Sequence, residues 1–314
     1  MLLYDLSGHG KLRVSGTDRV RFLNGLFTND IVKLVPGTGC HAAMLTVKGK
    51  LVGDAIILCE EESLAILCVP EVTDKLRDAL LRHAIVDDVL IEDLTSTLEQ
   101  VAVLGEGAGA EIGKRFGEVT ALPLYGHARS SIGAGSGAGG VLILRTADLG
   151  MDGYRIVGAG VRAALEGCGA FVGEGEAERL RIEAGLPRYG VDMGEEQLPM
   201  EARLDDAVSM TKGCYMGQEV IARLSARGHL NKRLCGLRLE GQEPAEKGAK
   251  LSAPGREDAG QITSSVVSPR FGVIALGYVH RSAWEPGTVL QVTSSAAGAS
   301  GPRVATVVDL PFHS

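Results

Sequence analysis

Residues 211–219 read Thr211-Lys212-Gly213-Cys214-Tyr215-Met216-Gly217-Gln218-Glu219. A thiol between two glycines, two residues from a lysine and ahead of a helical run (Val220, Ile221, Leu224), is placed for thiolate chemistry. Glycine lets the backbone turn tightly. The positive end of a helix and a lysine charge both favour the thiolate over a thiol of ordinary pKa, about 8.5. Cysteine is equally a common buried apolar residue, so a packing thiol is the competing reading. Cys40, Cys59, Cys68, Cys168 and Cys235 lie in apolar runs or beside glycine and read as structural. Asp54 is the second centre. It shares a strand face with Val52, Ile56 and Leu58, so a charge projects from an apolar surface. Such a carboxylate is either paired or lines a pocket. Glu201, after Pro199-Met200, is a further acid, with a helix N-terminal charge as its alternative.

Other chemistries lack their residues. There is no GxxxxGK[ST], HExxH or GxSxG motif. Gly105-Glu106-Gly107-Ala108-Gly109-Ala110 follows a strand pattern, but no acid-ended strand follows about 20 residues on to hold a ribose. The seven histidines show no metal-ligand spacing, so no metal site is expected.

The elements that must position these groups follow from periodicity. Strands are expected at 12–15, 40–47, 51–58 and 64–69, with Lys48-Gly49-Lys50 as a hairpin turn. A helix begins at Asp18, and Pro70 opens an amphipathic helix with Val72, Leu76, Ala79, Leu80 and His83 inward. Further strands are expected at 101–104, 141–146 and 154–157, and helices near 160–167 and 174–185. The Gly/Ser/Ala-rich stretch 130–140 reads as a loop. From Arg233 onward, short β-rich runs alternate with Gly, Pro and Ser turns, the pattern of a small antiparallel barrel or sandwich.

Composition sets the bounds. With 314 residues the chain is long enough for about two domains and needs no disulfide or metal staple. The net charge, 32 − 39 = −7, supplies no global field toward phosphate, and no nucleic-acid partner is expected. No run of 18 apolar residues appears, so no membrane partner is expected. The six cysteines never form CxxC, which fits reduced thiols in the cytoplasm.

At residues 212–219 the chain resembles the KGCYxGQE signature of the YgfZ-type folate-binding proteins, in the superfamily of the glycine-cleavage T protein (aminomethyltransferase). The resemblance extends along the chain. Gly16-Thr17-Asp18, Phe22-Leu23 and Thr28-Asn29-Asp30 resemble the N-terminal "G-x-D…FL…TND" region. Arg181-Ile182-Glu183-Ala184-Gly185, Tyr189-Gly190 and Pro199-Met200-Glu201-Ala202 resemble "R-x-E-x-G…YG…P-x-E-A". Asn231-Lys232-Arg233 matches the basic step after the signature helix, and Gly260-Gln261-Ile262-Thr263-Ser264 with Gly277-Tyr278-Val279 resembles the C-terminal β domain.

The resemblance implies an α+β fold. It is a three-lobed ring of two interleaved α/β lobes, from roughly residues 1–230, and a C-terminal antiparallel β-barrel over 231–314. It implies a bound tetrahydrofolate or derivative and partners that are iron–sulfur client or assembly proteins. Folate-dependent aminomethyl transfer or demethylation of a small amine is the alternative. It assigns Cys214 the reactive role, Lys212 its electrostatic help, and folate contacts to Asp54, Asn29, Glu201, Arg233 and Gln218. One departure stands out. T proteins carry "E-x-G-Y-E-I" where this chain has Asp152-Gly153-Tyr154-Arg155-Ile156, so an acceptor for the pterin edge is replaced by Arg155, a donor.

Overall fold

The computed structural model describes residues 1–117, 119, 121–130, 140–293 and 303–313. Residues 131–139 of the Gly/Ser/Ala-rich stretch lie outside them. Contacts divide the chain into two compact units, Met1–Gly173 with Asp206–Gln218, and Glu174–Asp205 with Glu219–Ser314.

The first unit carries two sheets. In chain order its elements are β1 (Leu2–Asp5), β2 (Gly10–Ser15), α1 (Arg19–Leu26), β3 (Thr38–Leu45), β4 (Leu51–Cys59), β5 (Ser63–Cys68), α2 (Pro70–His83), β6 (Leu90–Asp93), β7 (Glu99–Leu104), α3 (Ala108–Phe116), β8 (His127–Ser130), β9 (Val141–Asp148), β10 (Met151–Gly158), α4 (Val161–Ala164) and β11 (Ala170–Phe171). One sheet runs β3-β4-β5-β2-β6 and the other β11-β1-β7-β10-β9-β8. The lobes interleave because β1, first in the chain, pairs antiparallel with β7 of the second sheet. At four residues, Leu-Leu-Tyr-Asp, that strand is too short to show a period of its own. Helix α2 buries Val72, Leu76 and Leu80, as its 3.6-residue spacing requires, but His83, expected on the same side, is exposed in the last turn, where the helix ends. Between the sheets lies an apolar cluster of Ile56, Leu58, Leu67, Leu142, Leu144 and Val157, with Tyr125 packed against it.

The second unit is built on a closed barrel. Its strands are β12 (Lys232–Leu239), β13 (Lys250–Ala253), β14 (Arg256–Ser268), β15 (Gly272–His280), β16 (Val289–Thr293) and β17 (Arg303–Val308), in the order β12-β15-β14-β13-β16-β17. Closure leaves no edge strand to pair with another chain. Helix α5 (Glu174–Glu183) is held to this barrel by buried ions. Arg181 Nη1 donates to Asp192 Oδ2 at 2.7 Å, and Thr263 and Ser264 both donate to Asp192 Oδ1, at 2.6 and 2.7 Å. Consecutive strand residues can both reach that oxygen because β14 is bulged between Ile262 and Ser264. Ser268 in turn donates to Glu183 at 2.6 Å. The R-x-E-x-G and Gln261–Ser264 motifs are therefore the two sides of one clasp. Helix α6 (Gln218–Arg227) starts at the last residue of the first unit and runs into the second.

Candidate functional site

The candidate site of the first unit grows from the β3–β4 hairpin. Asp54 pairs with Ala43 and His41 with Ile56, so Asp54 and His41 are diagonal neighbours on one face. The small Ala43 opposite Asp54 leaves room for both. His41 Nε2 lies 2.9 Å from Asp54 Oδ2, and its Nδ1 lies 3.3 Å from Oδ2 of Asp206, 165 residues away in sequence. Burial opposes the charged ring, but the hydrogen bonds to Asp206 and Asp54 overcome it and raise the His41 pKa to about 9. Asp54 Oδ1 has no protein partner among the described residues.

Asn29 holds this arrangement together. Its Nδ2 donates to the carbonyls of His41 at 2.8 Å and Asp206 at 3.1 Å, and its Oδ1 accepts the Asp30 N–H. Thr28 does the same one residue earlier, donating to Ala207 O at 2.6 Å and accepting from Ala43 N. The Thr-Asn-Asp motif thus ties β3 to the 206–209 segment. Asn29 therefore has a positioning part, holding His41 and Asp206 together.

The buried ammonium of Lys212 donates to the carbonyls of Asn24, Phe27 and Asn29, each at 2.7 Å. These carbonyls lie where α1 ends, so the lysine completes the helix C-terminus. Burial brings its pKa down to about 8, against the charges of Asp30 and Cys40. Cys214 itself is the one exposed cysteine of the six. Gly217 is required in this loop, with φ 82° and a site where a Cβ would meet Thr46 O at 2.5 Å. Gly213 faces open space. Gln218 Oε1 accepts the Tyr215 N–H at 3.3 Å, so it braces the turn around the thiol.

Across the apolar cluster, Arg155 of β10 pairs with Asp148 of β9 through two bonds of 2.8 and 2.5 Å, and Thr146 donates to the same carboxylate at 2.8 Å. Burial alone would raise the Asp148 pKa, but the Arg155 charge and its hydrogen bonds hold it below the usual carboxylate range. The acid missing at position 155 has a counterpart on the adjacent strand, neutralised by the arginine. Tyr125, at φ 61°, lies within electrostatic reach of both Asp206 and the Asp148–Arg155 pair, and burial pushes its phenol up to about 12. His41, Asp206, Tyr125 and Asp148 were not singled out in the sequence. A carboxylate on an apolar strand face was the one available signal for their neighbourhood.

Glu201 and Arg233 lie in the second unit. Glu201 is buried and accepts the Leu198 N–H at 2.9 Å, within a turn and not at a helix N-terminus. The Arg233 guanidinium lies over the Trp284 ring at 5.2 Å, and its Nε has no partner among the described residues.

Comparison with known proteins agrees with this architecture. Residues 1–212 match the GCVT N-terminal domain, and residues 232–313 match the glycine cleavage T-protein C-terminal barrel domain. The chain belongs to the glycine-cleavage T-protein family. An aminomethyltransferase of Rubrobacter xylanophilus is 30% identical, over 99% of this chain and 82% of that one. One of Rippkaea orientalis is 28% identical over 99% and 86%. A putative chloroplastic transferase of Arabidopsis thaliana is 29% identical, over 95% of this chain and 69% of its own. The fold is that of the crystal structure of aminomethyltransferase T from Bartonella henselae, with a TM-score of 0.87, 22% identity and coverage of 99% and 86%. No helix among the described residues is long and apolar enough to cross a membrane.

Proposed function

We propose that this T-protein family member binds tetrahydrofolate, with Asp54 as the acceptor for the ligand's N–H groups. The carrying observation is the Asp54 carboxylate, fixed through Oδ2 by His41 with Oδ1 left over, beside the apolar cluster of Ile56, Leu58 and Leu144. A pterin offers a donor edge for a carboxylate and a flat face for apolar packing. Arg155 brings only donors, so its end suits a ligand carbonyl. When bound, the folate would supply one-carbon chemistry, while this chain's residues bind, orient and exclude water.

Two uses of the folate are supported by different observations. The relatives' names favour aminomethyl transfer or demethylation of a small amine. The exposed Cys214 in its KGCYMGQE segment, together with the arginine at position 155, favours a YgfZ-type role: a cytoplasmic factor that supports assembly or repair of iron–sulfur proteins with Cys214 as the reactive group. Calorimetric titration with tetrahydrofolate and folinic acid tests the shared reading. Asp54→Asn keeps the shape and removes the charge, and should weaken binding by a few kcal/mol at most, about 1.5–3. Equal affinity for both proteins would make Asp54 a structural acid. Turnover of an amine donor in the presence of tetrahydrofolate selects the first use. Loss of iron–sulfur enzyme activity in a deletion strain carrying Cys214→Ser selects the second.

A further inference from the structure

His41 has one acceptor on each ring nitrogen, Asp54 Oδ2 at 2.9 Å and Asp206 Oδ2 at 3.3 Å. A neutral imidazole donates from one nitrogen only, so meeting both carboxylates calls for the imidazolium. The ring is largely buried, with 15% of the side chain exposed, whereas Asp206 is 65% exposed. Its backbone is fixed independently, since Asn29 Nδ2 donates to the carbonyl of His41.

We infer that His41 is the positioning residue of Asp54. It clamps Oδ2 through Nε2, with Asp206 tethering the ring on its other side, and so reserves Oδ1 for a ligand N–H. The identity of that ligand rests on the folate reading above; the clamp rests on the hydrogen-bond geometry. Together the three groups carry −1 + 1 − 1 = −1 charge, which favours a neutral or cationic N–H over an anionic one. Removing the imidazole proton leaves one carboxylate without its donor and adds a second negative charge. The clamp therefore holds through neutral pH and releases as pH rises through about 9.

The other titratable groups facing the triad lie mostly outside that window. Cys40 on β3 is pushed up to about 12 by burial, Cys68 on β5 to about 11, and Tyr125 to about 12. Asp206 is held below the usual range by its bond to His41, and Asp30 is held down by Lys33. Lys212, at about 8, does titrate within the window, and its charge reaches Asp30 and Cys40. A variant must therefore separate it from His41.

The test is anaerobic calorimetry with tetrahydrofolate from pH 6.5 to 9.5, with the His41 Cε1–H resonance followed by NMR over the same range. Affinity should fall on the alkaline side with the midpoint of the His41 resonance. Asp206→Asn should move both midpoints down together, which a Lys212 titration would not do. His41→Gln has one amide for two carboxylates and should bind about tenfold more weakly at pH 7, with the alkaline step gone. Circular dichroism reports whether His41→Gln folds; should it not, the Asp206→Asn midpoints decide. A pH-independent affinity, midpoints unmoved by Asp206→Asn, or unchanged affinity in a folded His41→Gln would each overturn the inference. Absence of tetrahydrofolate binding at every pH overturns the folate reading instead. The clamp is then decided by NMR alone: a His41 midpoint near 9 that drops in Asp54→Asn supports it, and an ordinary midpoint of about 6.5 sinks it.

Discussion

Cys214 and Lys212 are two residues apart, yet the fold gives them separate tasks. The thiol is exposed, while the ammonium is enclosed by three carbonyls at the end of α1. The other five cysteines are all pushed above their ordinary range, chiefly by burial. At neutral pH and limiting reagent Cys214 should therefore alkylate first, as mass-spectrometric mapping would register. Slow alkylation of Cys214 relative to Cys40 would contradict the exposure argument. Lys212→Ala removes three charge-assisted bonds and leaves buried carbonyls unpaired. It should cost about 2–4 kcal/mol of stability by chemical denaturation, with only a minor change in the Cys214 alkylation rate. A large slowing with intact stability would restore the lysine's catalytic role. Arg155→Ala leaves the half-buried Asp148 carboxylate with the Thr146 hydroxyl but without its ion-pair partner and should destabilise by about 2–3 kcal/mol.

Elements decide which side chains meet. In the β3–β4 hairpin the register shifts by one residue between Met44 and Leu45. Continued without that shift, the Leu45–Leu51 register would pair Asp54 with Ala42 and put Cys40 on its face. The bulge pairs Asp54 with Ala43 and places His41 beside it instead, because a one-residue slip exchanges the faces of a strand. The second bulge, in β14, brings Thr263 and Ser264 onto Asp192, which is 3% exposed. Asp192→Ala should thus take one buried acceptor from Arg181, which keeps its pair with Glu178, and leave the Ser264 hydroxyl without its own, at a cost of about 2–3 kcal/mol. Urea unfolding would register it, and a loss below about 1 kcal/mol would mean that the clasp is dispensable.

For the whole molecule, the two displaced cations act on stability with opposite sign. The folded pKa of His41 lies above its unfolded value, so its contribution is fully present below about pH 6.5 and is lost as pH rises through about 9. That of Lys212 lies below its unfolded value, so the unfolded chain binds more protons between about 8 and 10.4 and stability rises there. The five buried thiols are raised as well and lower stability above about pH 8.5, so His41 is read below that point. Between about pH 6.5 and 8 the wild-type melting temperature should fall, and the fall should be absent in His41→Gln; the same fall in that variant would reverse the assignment. The sequence by itself determined the hairpin, the amphipathic helix α2, the run of barrel strands and Asp54 as a charge on an apolar face. Each of these is a local pattern, set by periodicity, turn chemistry or composition within a dozen residues. Only the tertiary structure decided that His41 and Asp206 clamp Asp54, that Asn29 and Lys212 fasten the loop after α1, and that Asp148 answers Arg155. Those outcomes depend on one-residue bulges and on segments as far apart as Asn29 and Lys212, where burial drives polar atoms to find partners and no local pattern records which ones.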